Sequence, residues 1–145
     1  MTIIAQLVTS FIASSGFGIL FGAPVRSLIQ CGIVGMSGWI FYYSLTQELF
    51  DAVPATIFAA MLVSILSFIC ARIFKVPIII FNVSGIIPLV PGGLAYHAMR
   101  NFVENDYTTA MELSMQVVLI AGGIAIGLMF SEVMKQIGSK LSFRK

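Results

Sequence analysis

The residues best suited to binding a ligand lie in one short stretch near the middle of the chain. This stretch, inside an apolar run long enough to cross a bilayer, reads Gly85-Ile-Ile-Pro88-Leu-Val-Pro91-Gly92-Gly93. Each proline lacks an N–H and displaces the backbone, so the carbonyls of Ser84 and Ile87 lose their helical partners. Irregular backbone at membrane depth is tolerated where it is buried in protein or lines a cavity. The motif therefore predicts a broken helix of the kind that holds substrate in secondary transporters.

The half-helix that follows the break offers backbone N–H groups at its free end. If it starts at Pro91, the N–H groups of Gly92, Gly93 and Leu94 have no partner within the helix. A helix N-terminus carries about half a positive charge and attracts anions, and glycine lets a ligand approach the backbone closely. This end of the break is therefore expected to bind a carboxylate without any basic side chain.

The residues before the break complement that anion-binding end. The freed carbonyls, the side chain of Asn82 and the hydroxyl of Ser84 are suited to an ammonium, a hydroxyl or a cation. With Gly85 and Pro88 they predict a site for a small carboxylate-bearing metabolite, zwitterions included. The alternative is a kink that only shapes the helix bundle. We favour the site, because two prolines and three glycines in nine residues exceed what a kink requires.

Two further side chains follow the break by about one helical turn. Tyr96 would either close the substrate cavity or anchor the helix at the membrane interface. His97 is the only histidine, and histidine changes its charge near neutral pH, so it is a candidate proton relay. The alternative for His97 is an interfacial residue that bonds water or a neighbouring carbonyl.

Other kinds of chemistry find no support in the sequence. Cys31 and Cys70 lie in apolar surroundings without metal-site spacing, and no nucleophile and base occur at a recognisable spacing. We therefore expect no enzyme, no metal and no cofactor, and no nucleic-acid partner.

The composition places the motif in a membrane. The chain is 59% hydrophobic and 10% charged, with a mean hydropathy of +1.02. A hydrocarbon core of about 30 Å needs roughly 20 helical residues per crossing. The sequence thus predicts an all-α integral membrane protein, with residues 1–145 forming one transmembrane domain. Its predicted parts are five spans at about 3–22, 27–46, 54–73, 77–99 and 110–130, the fourth broken at the Pro/Gly motif, and a basic tail at 131–145.

Basic residues predict how the spans are oriented. If all five cross, seven of the eight lie on one side, against Arg100 alone on the other. Those seven are Arg26, Arg72, Lys75, Lys135, Lys140, Arg144 and Lys145. The positive-inside rule then places the C-terminus in the cytoplasm, where the tail contacts anionic lipid, and the N-terminus outside. A broken segment that dipped in and returned would divide the charges four against four, so a true crossing is favoured.

Small residues recur at helical spacing along several spans. Such stripes let helix backbones approach closely, and we interpret them as packing seams rather than a substrate path. The two longest are Ser10, Ser14, Gly18 and Gly22 in the first span, and Thr56, Ala60, Ser64, Ser67 and Ala71 in the third.

The motifs together resemble a known family, the threonine/serine exporter family, and in particular its small subunit. The similarity runs almost end to end and rests on joint spacing rather than on any single residue. The segments that carry it are Gly16-Phe-Gly-Ile-Leu-Phe21, Pro24-Val-Arg26, Gly35-Met-Ser-Gly38-Trp39 with Tyr42, Ala71-Arg72 with Lys75 and Pro77, and Gly85 to Gly92 with Tyr96. The chain departs from the pattern at Ser84, where a proline is expected.

The resemblance implies an export system of the bacterial inner membrane in which a larger multi-span subunit supplies the other half. It implies small amino acids such as threonine and serine, or dicarboxylates such as succinate, as substrates, and by analogy the proton gradient as driving force. The alternative function is a non-transporting membrane scaffold that stabilises a partner transporter.

Overall fold

The computed structural model describes residues 3–48 and 51–142, and the predicted tail residues Arg144 and Lys145 lie outside this range. No strand occurs in the described part of the chain. Its six helices are α1 (Ile3–Leu20), α2 (Leu28–Glu48), α3 (Ala52–Phe74), α4 (Ile78–Ile86), α5 (Gly92–Val103) and α6 (Tyr107–Ser142). Single 3₁₀ turns at Val25–Ser27 and Ile87–Leu89 precede α2 and follow α4.

Four helical stretches are long and apolar enough to cross a membrane, namely Ile3–Leu20, Val25–Gln47, Ala52–Phe74 and Tyr107–Phe130. A fifth candidate span is a bent pair, Ile78–Leu89 and Gly92–Val103, whose halves meet at an angle of 54°. The predicted all-α membrane fold is therefore confirmed. Helix α6 continues beyond its span to Ser142, through residues predicted to form the basic tail.

The direction of α6 shows how the bent pair connects the bundle. Gly123 faces Val53 and Ile57 of α3, and Gly127, further along α6, faces Ile57 and Ala60. Residue numbers increase in the same direction along both helices, so α3 and α6 run parallel. The chain must therefore return between the end of α3 and the start of α6, and the bent pair is the segment that makes this crossing. A re-entrant segment, which enters and leaves the bundle on the same side, would have left α3 and α6 antiparallel.

Helices α1, α3 and α5 end at a residue in the left-handed conformation, which is Gly22, Lys75 or Asn105. After α1, Gly22 adopts a left-handed conformation (φ +70°), and the N–H groups of Gly22 and Ala23 donate to the carbonyls of Ile19 and Gly18. This pair of hydrogen bonds is the Schellman motif, which provides donors for carbonyls that the helix end leaves free. Gly22 thus ends α1 and does not continue its small-residue stripe, contrary to the prediction.

Most of the other small residues form packing seams, as predicted; the exceptions are Ala71, which is half-buried, and Ser10, which also lines a cavity. Ser10, Ser14 and Gly18 are the buried residues of α1, and Thr56, Ala60, Ser64 and Ser67 are buried in α3. A methyl group built on Gly127 would lie 2.5 Å from Cβ of Ala60 and 2.9 Å from the carbonyl oxygen of Ile57. Backbone therefore meets backbone between α3 and α6, the close approach that small residues permit in membranes.

Candidate functional site

The break between α4 and α5 lies halfway across the bundle. Leu89 in the 3₁₀ turn belongs to the same buried cluster as Val63, which is the central residue of α3, and both side chains approach Gly38 of α2. Val90 is extended, and Pro91 has φ −77° and ψ 51°, close to an inverse γ-turn. Helix α5 then begins at Gly92. The two prolines thus interrupt the helix at mid-depth, where coupled transporters commonly hold their substrates.

Hydrogen bonding in the break differs from the expectation in two places. The carbonyl of Ile87 is not free, because the N–H of Val90 donates to it at 3.3 Å. The N–H of Gly92 is not free either, since it donates to the carbonyl of Val90 at 2.8 Å across the turn at Pro91. Gly93 and Leu94 therefore remain as the first-turn N–H groups that lack a helical acceptor. The sequence shows that prolines remove bonds, but not which local turns replace them.

The predicted residues before the break lie within the helix packing. Ser84 is fully buried, and its hydroxyl donates to the carbonyl of Ile80 in the preceding turn. Gly85 is also buried, and a methyl group there would lie 2.8 Å from side-chain carbons of Val34 and Val63. Asn82, one turn earlier, is half-buried. Gly85 therefore lets α4 pack against α2 and α3, while the helix itself continues to Ile86.

The predicted residues after the break lie on an open surface instead. Methyl groups built on Gly92 and Gly93 would meet no atom within 4 Å, so this end of α5 is accessible to a ligand or a partner. Tyr96 and His97 are exposed on the same helix, and their rings meet edge to face at 5.6 Å. Pro91, which lies between the residues before the break and the residues after it, is half-buried. The structure thus separates the predicted residues into a packed set before the break and an open set after it.

A cavity of about 320 Å³ adjoins the break on the side of α1. Of the predicted site residues, only Pro88 lines it. Its lining residues are Gln6, Thr9, Ser10, Ala13, Trp39, Ile87 and Pro88. Gln6 is not among the predicted site residues, although a side-chain amide within an apolar span is a signal for a site.

A second cavity of about 440 Å³ extends from there towards the start of α1 and the end of α2. Its lining residues are Ile3, Gln6, Leu7, Trp39, Ile40, Tyr43, Ser44 and Gln47. Because both cavities are lined by Gln6 and Trp39, they adjoin and together lead from mid-depth to one end of the bundle. Within residues 3–48 and 51–142, no group of three His, Cys, Asp or Glu side chains is placed to hold a metal ion.

The chain is similar to a known protein family. No solved structure matches the chain. The family described as Threonine/Serine exporter, ThrE, matches residues 6–134, which include most of α1, all of α2 to α5 and most of α6. The matched region also contains the break, the residues on both sides of it and the lining residues of the first cavity. The chain is therefore a multi-pass membrane protein that belongs to the threonine/serine exporter ThrE family of transporters.

Proposed function

We propose that this chain is the small subunit of a secondary exporter that moves threonine and serine, or dicarboxylates, out across the bacterial inner membrane together with a larger multi-span subunit. The observation that carries the proposal is the 54° break at mid-depth, with open backbone at Gly92 and Gly93 and a cavity beside Pro88. A family membership alone would support transport, whereas the break supplies a place for substrate.

In this proposal the substrate carboxylate binds at the start of α5. The N–H groups of Gly93 and Leu94 point along the helix axis towards the break, and the partial positive charge of the helix end favours an anion there. Tyr96, one turn further along, is 64% exposed and borders this region. Asn82, Ser84, Gly85, Pro88 and Pro91 shape the break, and in that way they position the first turn of α5.

A second subunit is supported by how little the five spans enclose. In the apolar 18-residue core of each of the four unbroken candidate spans, no more than 28% of the residues are buried inside the chain. The open face at Gly92 and Gly93 also lacks a wall on its outer side. A larger subunit would supply that wall, with membrane lipid covering the remaining faces.

Export should be measured in cells that lack their own exporters and that co-express this chain with its larger subunit. We expect efflux of labelled threonine, serine or succinate well above that of cells carrying the larger subunit alone. His97 relays the proton in this proposal, so His97→Gln should lower the rate of proton-driven efflux. Absence of efflux from an assembled complex, for all three substrates, would favour the scaffold function instead.

The proposed orientation has the N-terminus outside and the C-terminus in the cytoplasm. Arg26, Arg72 and Lys75 lie at the end of the bundle where α1 and α3 end, opposite Arg100. The charge of Arg100 is offset by Glu104, whose carboxylate lies 2.8 Å from its guanidinium. A reporter that is active only in the cytoplasm should therefore be active when fused after residue 145 and inactive when inserted at Asn105. The reverse pattern would refute this orientation.

A further inference from the structure

The two adjoining cavities lie between α1 and α2 towards one end of the bundle. Near the other end the helices are in close contact, where Gly18 faces Leu28 and Cys31, and Gly35 faces Ser14. Beyond Gly38, α2 carries the large side chains of Trp39 and Tyr43 instead of glycine, and these line the space between the helices. The two cavities together form an open compartment that extends from Pro88 to the start of α1.

Polar groups without protein partners line this compartment. The side-chain amide of Gln6 and the hydroxyl of Ser10 form no hydrogen bond with any residue that the structure describes, whereas the hydroxyls of Thr9 and Ser44 donate to carbonyls of their own helices. The indole N–H of Trp39 is enclosed and has no acceptor within the described residues. Unpaired polar groups at membrane depth are costly, so they are expected to bind something other than hydrocarbon.

We propose that this compartment is the outward half of the export path, and that Gln6 and Ser10 form a subsite for a small zwitterionic amino acid. This rests on the proposed export function and orientation, because α1 begins and α2 ends on the predicted outer side. Neither the break motif nor the family match assigns a ligand to Gln6, Ser10 or Trp39.

The chemistry of the lining selects this ligand class. None of the residues that line the two cavities has a charged side chain. The ammonium and carboxylate of a zwitterion compensate each other in part, whereas the two negative charges of a dicarboxylate would need cationic partners that the compartment lacks. The amide of Gln6 offers both an acceptor for an ammonium or hydroxyl proton and donors for a carboxylate. The volumes of the two cavities, about 320 and 440 Å³, lie within the range of small-molecule sites.

Trp39 provides a direct readout of binding, because it is the only tryptophan in the chain. The full-length chain in lipid nanodiscs is titrated with L-threonine, L-serine and succinate while tryptophan emission is recorded. We expect a saturable change with threonine and serine, and at least tenfold weaker apparent affinity for succinate. Gln6→Leu should weaken threonine binding at least tenfold, and Ser10→Ala, which removes only an oxygen, should weaken it in the same direction. Gln116→Leu, which removes an exposed amide of α6, should leave binding unchanged.

Several results would overturn the inference. The first is that neither threonine nor serine changes the tryptophan emission, and the second is that succinate binds with an affinity equal to theirs. The third is that Gln6→Leu, with unaltered thermal stability, binds threonine as tightly as Gln116→Leu does. An emission that responds to added lipid alone would identify the compartment as a lipid groove. Threonine efflux with an unchanged KM in Gln6→Leu would refute the subsite and leave export standing. Saturable threonine binding without efflux would refute export and leave the subsite standing.

Discussion

Replacing Gly92 by leucine should abolish export while leaving the chain folded and bound to its larger subunit. The added side chain meets no atom of the described chain within 4 Å, so it requires no repacking. Leucine also has a higher helix propensity than glycine, by roughly 1 kcal/mol, so the substitution does not weaken α5 itself. The side chain would instead fill the space beside the N–H groups of Gly93 and Leu94, where the proposal places the substrate carboxylate.

The matched control is Gly16→Leu, the same substitution at an exposed glycine of α1 that also has no neighbour within 4 Å. Labelled-substrate efflux and co-purification with the larger subunit are measured for both variants. Export by Gly92→Leu at the level of Gly16→Leu would show that the break binds no substrate. Loss of export together with loss of the larger subunit would favour the scaffold function.

Replacing Gly127 by leucine should destabilise the bundle itself. Already the first carbon of the new side chain would overlap Cβ of Ala60 and crowd the backbone of Ile57, at 2.5 and 2.9 Å. Backbone atoms cannot rotate away as a flexible side chain does, so α3 and α6 must separate along their shared seam. Overpacking of this kind typically costs about 1–3 kcal/mol, and the loss of a whole helix interface adds to that cost.

Gly122→Leu is the control for this second substitution, because Gly122 lies on the same helix and has no neighbour within 4 Å. The free energy of unfolding is measured for both variants by denaturant titration in mixed micelles. We expect a clear loss for Gly127→Leu and little change for Gly122→Leu. Equal stabilities would mean that α3 and α6 do not pack as the structure shows.

The small-residue seams illustrate how far sequence spacing predicts packing. A four-residue spacing of Ser10, Ser14 and Gly18 places them on one helix face, whatever the helix packs against, and all three are buried. Gly22 continues the spacing and yet ends the helix, because the left-handed turn before Pro24 requires a residue with positive φ. Periodicity thus identifies a face, but the end of a helix depends on which carbonyls find new donors.

The bent span also shows which features of the candidate site the sequence predicts and which depend on the folded structure. Pro88 and Pro91 made a break predictable, since neither can donate a backbone hydrogen bond. The bonds that replaced the lost ones, from Val90 to Ile87 and from Gly92 to Val90, depend on local turn geometry. The packed position of Gly85 depends on Val34 and Val63, which are distant in sequence. Residue types therefore located the break but did not say which of its groups stay open.

By itself, the sequence determined that this is an all-α membrane protein with a span interrupted near residues 87–91, because hydropathy and proline chemistry act locally along the chain. Only the tertiary structure decided that α3 and α6 run parallel and that Gln6 of α1 and Trp39 of α2 line the same two cavities. These features arise from contacts between helices far apart in sequence. Gly127, which faces Ala60, and Gly122, which has no neighbour within 4 Å, cannot be distinguished from the sequence. Only the position of the neighbouring helix distinguishes them.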